Sequence, residues 1–412
     1  MFQPIPRPCP VCRLELSSKF LTLHNLPVNG LALYSNAESA RAAPKAGVEL
    51  AFCSHCGMIY NTTFNSAQVN YDNTYENSLG HSSVFCEYLN ELAGHLIQSY
   101  SLSGKTVVEV GCGDAQFLKL LCADGNNRGF GFDPSLAQSY EAESISLVKS
   151  VYDERAGGTP ADFICCRHVL EHLENPHELL HAMRANLTEG NNSAIYLEVP
   201  NAMAVLTGPT AWDIHYQHCN YFTSTSLSSL LESCGFSVLR MSPTYGGQFL
   251  AVEACPRRSS APKASQNSGD IQKVGRAVER FRWKFRAGVE EWARFLEYAH
   301  AEGRTVVLWG AGAKAVTFMN TVPGAERIAA TIDSNPRKSG TFLPGTGHRL
   351  LAPESLGSIG ADVIITLNPL YEHEIRRMAQ RVAPGAEVVA KPAIPICSPL
   401  PGERTMAAGF AK

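Results

Sequence analysis

The chain has 412 residues, more than one hydrophobic core usually organises, so two or three domains are expected. Its 35 Lys and Arg against 38 Asp and Glu leave a formal charge of −3, which excludes the polybasic signature that tracks a nucleic-acid backbone. No run approaches the roughly 18 apolar residues of a membrane span, and the N-terminal MFQPIPRPCPVC lacks the charged-then-apolar order of a secretory signal, so a soluble, cytoplasmic protein without nucleic-acid or membrane partners is expected.

The first region, residues 1–70, carries Cys9-x2-Cys12 and, some forty residues on, Cys53-x2-Cys56, each pair in a turn marked by Pro or Gly. Thirteen cysteines spread over a long chain suit reduced thiols and a metal rather than a disulfide framework. Two such knuckles can set four thiolates tetrahedrally around Zn2+, which a small segment with little core of its own needs in order to fold. Four thiolates leave no open position for water, so the expected zinc is structural.

The second region, 71–256, opens with KTVVEVGCGDAQFLKLL, a β-branched run that ends in glycines and passes into an apolar-periodic helix. This is the first strand-turn-helix of a doubly wound α/β sheet, whose backbone amides let a cofactor lie across the carboxyl ends of the strands. A dinucleotide fingerprint needs a third glycine, and Gln116 stands in its place after Gly111 and Gly113. Glu109, Gly111, Cys112, Gly113 and then Asp133 in GFGFDPS fit S-adenosylmethionine (SAM) better, with Asp133 ending the second strand as the acid for the ribose hydroxyls. The runs ADFICCRHVLEH, NPHELLHAMRANL and AIYLEVPN then read as strand, helix opening on Pro176, and strand, a mostly parallel sheet. His177-Glu178-Leu179-Leu180-His181 matches H-E-x-x-H, but no metzincin continuation follows, and Leu179 and Leu180 read as the core face of the helix.

The stretch PRRSSAPKASQNSGD is polar and rich in Ser and Pro, marking a linker; with the long charged helix pattern after it, residues 257–303 connect the second region to the third. The third region, 304–412, repeats strand-turn-helix in TVVLWGAGAKAVTFMN and predicts a second Rossmann-like domain. Gly310-x-Gly312-x-x-Ala315 with Asp333 satisfies the dinucleotide pattern, which leaves an NAD-dependent oxidoreductase as the alternative from another class.

The order of these parts, together with EVGCGDAQFL, RHVLEH, HYQHCNYF and GAGAKAVTFMN, resembles the zinc-containing, three-domain, class I SAM-dependent sugar C-methyltransferases. Described members of that family methylate C3 of thymidine-diphosphate keto-deoxysugars. The resemblance implies a histidine base at His218, preceded by Gln217 where the family has a glutamate. It implies His172 lining the methyl-transfer cleft, Tyr75 closing over the substrate, and His215 at a position often aromatic. His168 joins Glu109, Gly111, Cys112, Gly113 and Asp133 in the expected cofactor set.

The chemistry explains the crowding of WDIHYQHCNYF. A carbon beside a ketone is only weakly acidic, and an imidazole with an ordinary pKa near 6.5 is a suitable base for its proton at neutral pH. The enolate oxygen then needs donors, for which His172, Tyr75, Tyr216 and the Gln217 amide are candidates. Without a carboxylate at 217, Glu198 or Asp213 is the expected substitute. The expectation is thus a methyltransferase for a nucleotide-linked sugar, monomeric or homodimeric, with O- or N-methylation of another metabolite as the alternative within the class.

Overall fold

The computed structural model describes residues 7–71, 74–123, 126–142, 144–153, 160–188, 193–208, 211–257 and 268–392. Most of the linker expected before the long helix, and residues 393–412, lie outside the described residues.

The N-terminal region forms an antiparallel sheet from β1 (Ser17–Pro27), β2 (Lys45–Cys53) and β3 (Ile59–Asn61). Its fourth strand comes from far along the chain, a short strand at Asn220–Tyr221 that pairs with β3. The segment singled out in the sequence is therefore anchored on the N-terminal sheet.

The central sheet is built from β4 (Thr106–Val110), β5 (Arg128–Phe132), β6 (Tyr140–Glu141), β7 (Ile145–Val148), β8 (Phe163–Arg167) and β9 (Ala194–Pro200). After β10, the Asn220–Tyr221 strand, it adds β11 (Phe236–Thr244) and β12 (Phe249–Pro256). The order is β11-β12-β9-β8-β4-β5-β7-β6, with β7, β5, β4, β8 and β9 parallel and β12 antiparallel between β9 and β11. A parallel sheet buried on both faces needs apolar strands throughout, and β8 and β9 are accordingly buried almost without interruption. The strand order reverses at β4, between β5 and β8, which places the ligand crevice at the carboxyl end of β4.

The C-terminal region repeats the design with five parallel strands: β13 (Val306–Trp309), β14 (Ala330–Ile332), β15 (Leu350–Leu351), β16 (Val363–Thr366) and β17 (Glu387–Val389), in the order β15-β14-β13-β16-β17. The helix Ser268–Ala301 buries Phe281, Phe285, Trp292 and Phe295 in one core with β1, β2 and the C-terminal sheet, so its apolar side lies between domains. Among the described residues no helix is long and apolar enough to cross a membrane.

Candidate active site

At the end of β4 the chain must turn sharply, and Gly111 does so with φ +73°, a conformation L side chains rarely adopt. A Cβ there would lie 2.3 Å from Val169 Cγ2, so glycine is demanded by space as well as by backbone. Gly113 also has positive φ, but a Cβ there would meet nothing within 4 Å, so the chain leaves open room above its amide. Asp133, at the end of β5, accepts from Gly113 N (2.9 Å), Ser135 N (2.8 Å) and Ser135 Oγ (2.6 Å). A carboxylate offers about four lone-pair sites, so it is fixed in place and retains acceptor capacity for a ribose diol. Glu109 is buried and accepts from Leu118 N (3.0 Å); burial pushes its carboxyl up to about 8, against the pull of Arg167.

This cradle forms one wall of a cavity of about 1750 Å3. Ordinary small-molecule pockets run to roughly 300–1,000 Å3, so there is space for a second reactant beside a cofactor. The mouth of the C-terminal sheet lines the same space with Gly310, Gly312, Lys314 and Asp333.

His168, His172, His215 and His218 line the same cavity. His218 N donates to His215 O (3.2 Å), closing a turn that brings both rings to the same side, with centroids 3.7 Å apart. His172 approaches His218 at 4.9 Å. His172 Nδ1 lies 2.9 Å from Gln217 O and 3.0 Å from Tyr71 Oη; since a carbonyl can only accept, Nδ1 carries the proton and Nε2 of the neutral ring is an acceptor. The expected role of His172 as an enolate donor is therefore corrected. Burial first, then the neighbouring His215, His172, His168 and Lys314, hold His218 well below the usual imidazole range, and burial drives His215 down to about 3. His168, with φ +57°, sits between Glu171 (Nδ1, 3.5 Å) and Glu198 (Nε2, 3.2 Å). Burial alone would lower its pKa, but these two carboxylates lift it to about 9.

The turn that gathers His215 and His218 sends the intervening residues elsewhere. Gln217 Oε1 accepts from Gly30 N (3.1 Å) in the N-terminal region, and Tyr216 Oη donates to Gln68 Oε1 (3.2 Å) and accepts from Asn65 N (3.1 Å). Neither lines the cavity, so neither is an enolate donor. Tyr75 does line it, held edge-on against Tyr71 at 5.1 Å, and burial keeps both phenols protonated at neutral pH. The two expected substitute carboxylates are already engaged. Glu198 takes Arg167 at 2.9 Å and the Tyr88 and Tyr196 hydroxyls, and Asp213 pairs with Lys314 at 3.0 Å. Tyr71, Glu171 and Lys314 went unnoticed in the sequence; only the proximity of Tyr71 to Tyr75 and of Glu171 to His172 could have signalled the first two.

The C-terminal loop disfavours the dinucleotide alternative. Asp333 Oδ2 accepts from Ala311 N (2.7 Å) and pairs with buried Lys338 (3.2 Å), which neutralises the acid that a ribose would need. The H-E-x-x-H histidines stand with ring centroids 6.4 Å apart, and His177 Nε2 meets Ser233 Oγ at 3.3 Å.

Cys9, Cys12, Cys53 and Cys56 converge with all four sulfurs within 4.8 Å of one another, at 3.5 Å for Cys9–Cys56 and 3.6 Å for Cys12–Cys53. Zn–S bonds of about 2.3 Å in a tetrahedron place sulfurs about 3.8 Å apart, so the set fits zinc. Thr223, whose hydroxyl caps the helix Ser224–Ser233, also donates to Gly57 O (3.2 Å) and ties the second knuckle to the central domain.

The strand order, the glycine turn and the strand-end acid together define a class I, SAM-dependent methyltransferase. Comparison with known proteins places it further: residues 84–240 match the methyltransferase domain family and residues 263–392 match the C-methyltransferase C-terminal domain family. Together the two matches support a SAM-dependent C-methyltransferase. The chain is 24% identical over 310 residues to the C-methyltransferase NovU of Streptomyces niveus, covering 70% of this chain and 72% of NovU. Among solved structures, magnesium protoporphyrin IX methyltransferase (ChlM) from Synechocystis PCC 6803 with bound SAH is 17% identical, covering 42% of this chain and 84% of that one, at a TM-score of 0.33. The 1,6-didemethyltoxoflavin-N1-methyltransferase of Burkholderia thailandensis is 15% identical over 43% of this chain and 82% of its own, at 0.34. With the second domain matched to C-methyltransferases, the oxidoreductase alternative is set aside.

Proposed function

We propose that this methyltransferase acts on carbon in a nucleotide-linked keto-deoxysugar of the dTDP class, with His218 as the base. The observation that carries the reading is the shared cavity: two nucleotide-type strand-turn-helix mouths and the histidines line one space. Glu109, the Gly111–Gly113 turn, Asp133 and His168 would hold SAM, which supplies an electrophilic methyl group on a sulfonium. The C-terminal mouth, with Gly310 and Gly312 in its strand-turn-helix, would take the nucleotide end of the sugar, which suits backbone amides at a helix start.

His218 is uncharged at neutral pH and so is ready to accept the proton from the carbon beside the ketone. The C–H electron pair stays with the substrate as an enolate, whose oxygen the hydroxyl of Tyr75, a residue of the cavity wall, would meet. Burial of the cluster excludes water that would return the proton. Zinc at the four cysteines would be structural, and the many free buried thiols favour a reducing compartment, the cytoplasm. The assay is incubation of the protein with SAM and a dTDP-keto-deoxysugar, followed by carbon NMR of the product. A new methyl on carbon, resistant to base hydrolysis and lost in His218→Gln, is expected. Methyl on oxygen or nitrogen would refute the reading.

A further inference from the structure

Proton removal creates an electrostatic problem that the neutral cluster does not show. The groups facing His218 are His215, His172, His168, Lys314, Asp213 and Glu171, and most are cations or become cations on protonation. A proton taken up by His218 is then a buried positive charge, which is costly unless an anion stands beside it. Among the described residues three carboxylates approach the histidines. Asp213 is tied to Lys314 from the C-terminal domain, and Glu198 is shared among Arg167, His168, Tyr88 and Tyr196.

Glu171 is different. It is 1% exposed, yet neither of its carboxylate oxygens has a hydrogen-bond partner among the described residues. Its carboxylate lies within 4.8 Å of ring nitrogens of both His172 and His218, and 3.5 Å from His168 Nδ1. Its backbone is held from the same side, with Glu171 O accepting from Cys219 N at 2.8 Å, next to the base in sequence. Among the described residues its one ion-pair partner, His168, is shared with Glu198, so the buried carboxylate keeps charge to spare.

We infer that Glu171 is the counter-ion of the His172–His218 pair, a positioning residue whose carboxylate, facing His168 in the resting protein, meets the positive charge that His218 acquires from the substrate. This rests on the reading of His218 as the base. No proton passes to Glu171: the substrate C–H proton goes to His218, the electron pair stays on carbon, and the carboxylate remains ionised throughout.

The test isolates proton removal from methyl transfer. The full-length protein, saturated with S-adenosylhomocysteine in D2O, is given a dTDP-keto-deoxysugar, and loss of the substrate's carbon-bound proton is followed by NMR for wild type, Glu171→Gln, Glu171→Asp and His218→Gln. Glu171→Gln is expected to slow exchange about hundredfold, with KM changed less than about threefold, and Glu171→Asp to recover part of the rate. The acid limb of its pH profile moves to lower pH by on the order of one unit, because the anion that favours the charged ring is gone. A structural role alone would leave that limb in place. Unchanged exchange in Glu171→Gln, or a rate loss accompanied by weakened S-adenosylhomocysteine binding and a lower melting temperature, overturns the inference. So does a second equivalent of Zn2+, beyond that of the four cysteines, which the reaction requires and Glu171→Gln removes; the trio would then be a ligand set. Exchange that survives in His218→Gln refutes the base instead. A wild type that exchanges nothing refutes the substrate reading, and the inference falls with it.

Discussion

Replacing Asp133 by alanine separates the cofactor cradle from the rest of the cavity. The carboxylate receives three protein donors, Gly113 N, Ser135 N and Ser135 Oγ, all within 2.9 Å, so its position is set before any ligand arrives. Hydrogen bonds to a charged acceptor are worth about 1.5–3 kcal/mol each. Loss of those to a ribose diol, together with release of the Gly113 amide from its anchor, gives about 3 kcal/mol, or on the order of a hundredfold in Kd. Asp133→Asn keeps one carbonyl acceptor and loses the charge, so an intermediate loss of about tenfold is expected. Calorimetric titration with S-adenosylhomocysteine gives the three affinities, and thermal melting of the unliganded proteins shows whether the fold is kept. Affinity of Asp133→Ala within threefold of wild type, with the fold intact, would refute the assignment of this loop as the SAM site.

Three further outcomes are expected. Gly111→Ala places a Cβ 2.3 Å from Val169 Cγ2 at φ +73°, and the strain and overlap together destabilise by about 2–4 kcal/mol, read by urea unfolding; adding Val169→Ala should restore only the overlap's share. Metal analysis should find zinc at the four cysteines, with Cys53→Ser lowering both zinc content and melting temperature; a zinc-free wild type of unchanged stability would exclude the metal. Glu109 has a folded pKa raised from 4.5 to about 8, so the native state binds the extra proton between those values and stability falls as pH rises through that window. The difference in melting temperature between wild type and Glu109→Gln across pH 5 to 8 isolates this contribution, and a difference constant with pH would show that the carboxyl ionises normally.

What the sequence revealed and what it hid follow from the range of the interactions. The glycine turn after β4 was legible because its constraint is local: a sharp turn and a helix start must occur within a few residues. The cysteine knuckles were legible because a zinc site requires a repeated short spacing. Gln217 and Tyr216 were misplaced because their neighbours His215 and His218 are the ends of a tight turn, and a linear motif does not show that its two middle residues face away. The pairing of β10 with β3, and the commitment of Glu198 to Arg167, join residues distant in sequence and leave no local pattern. Glu171 was hidden for a different reason, since what distinguishes it is a missing hydrogen-bond partner, and only a packed structure shows that.

The same long-range contacts tie the N-terminal and C-terminal regions to the segment that carries the histidines. The segment from Asp213 to Tyr221 is held from every side. Gly30 N binds the Gln217 side chain, Thr317 Oγ1 donates to Ile214 O at 2.6 Å, Lys314 pairs with Asp213, and β3 takes Asn220 and Tyr221 into its sheet. The N-terminal and C-terminal regions thus both hold the segment that carries His215 and His218. Enclosure removes water, and desolvation is the largest cause of the low pKa of His215 and His218. Desolvation in the assembled protein thus keeps the base uncharged further into the acid range than an ordinary imidazole. Loosening either clamp, for instance by Thr317→Val, should admit water and move the acid limb of activity towards the ordinary imidazole value without touching the cofactor cradle.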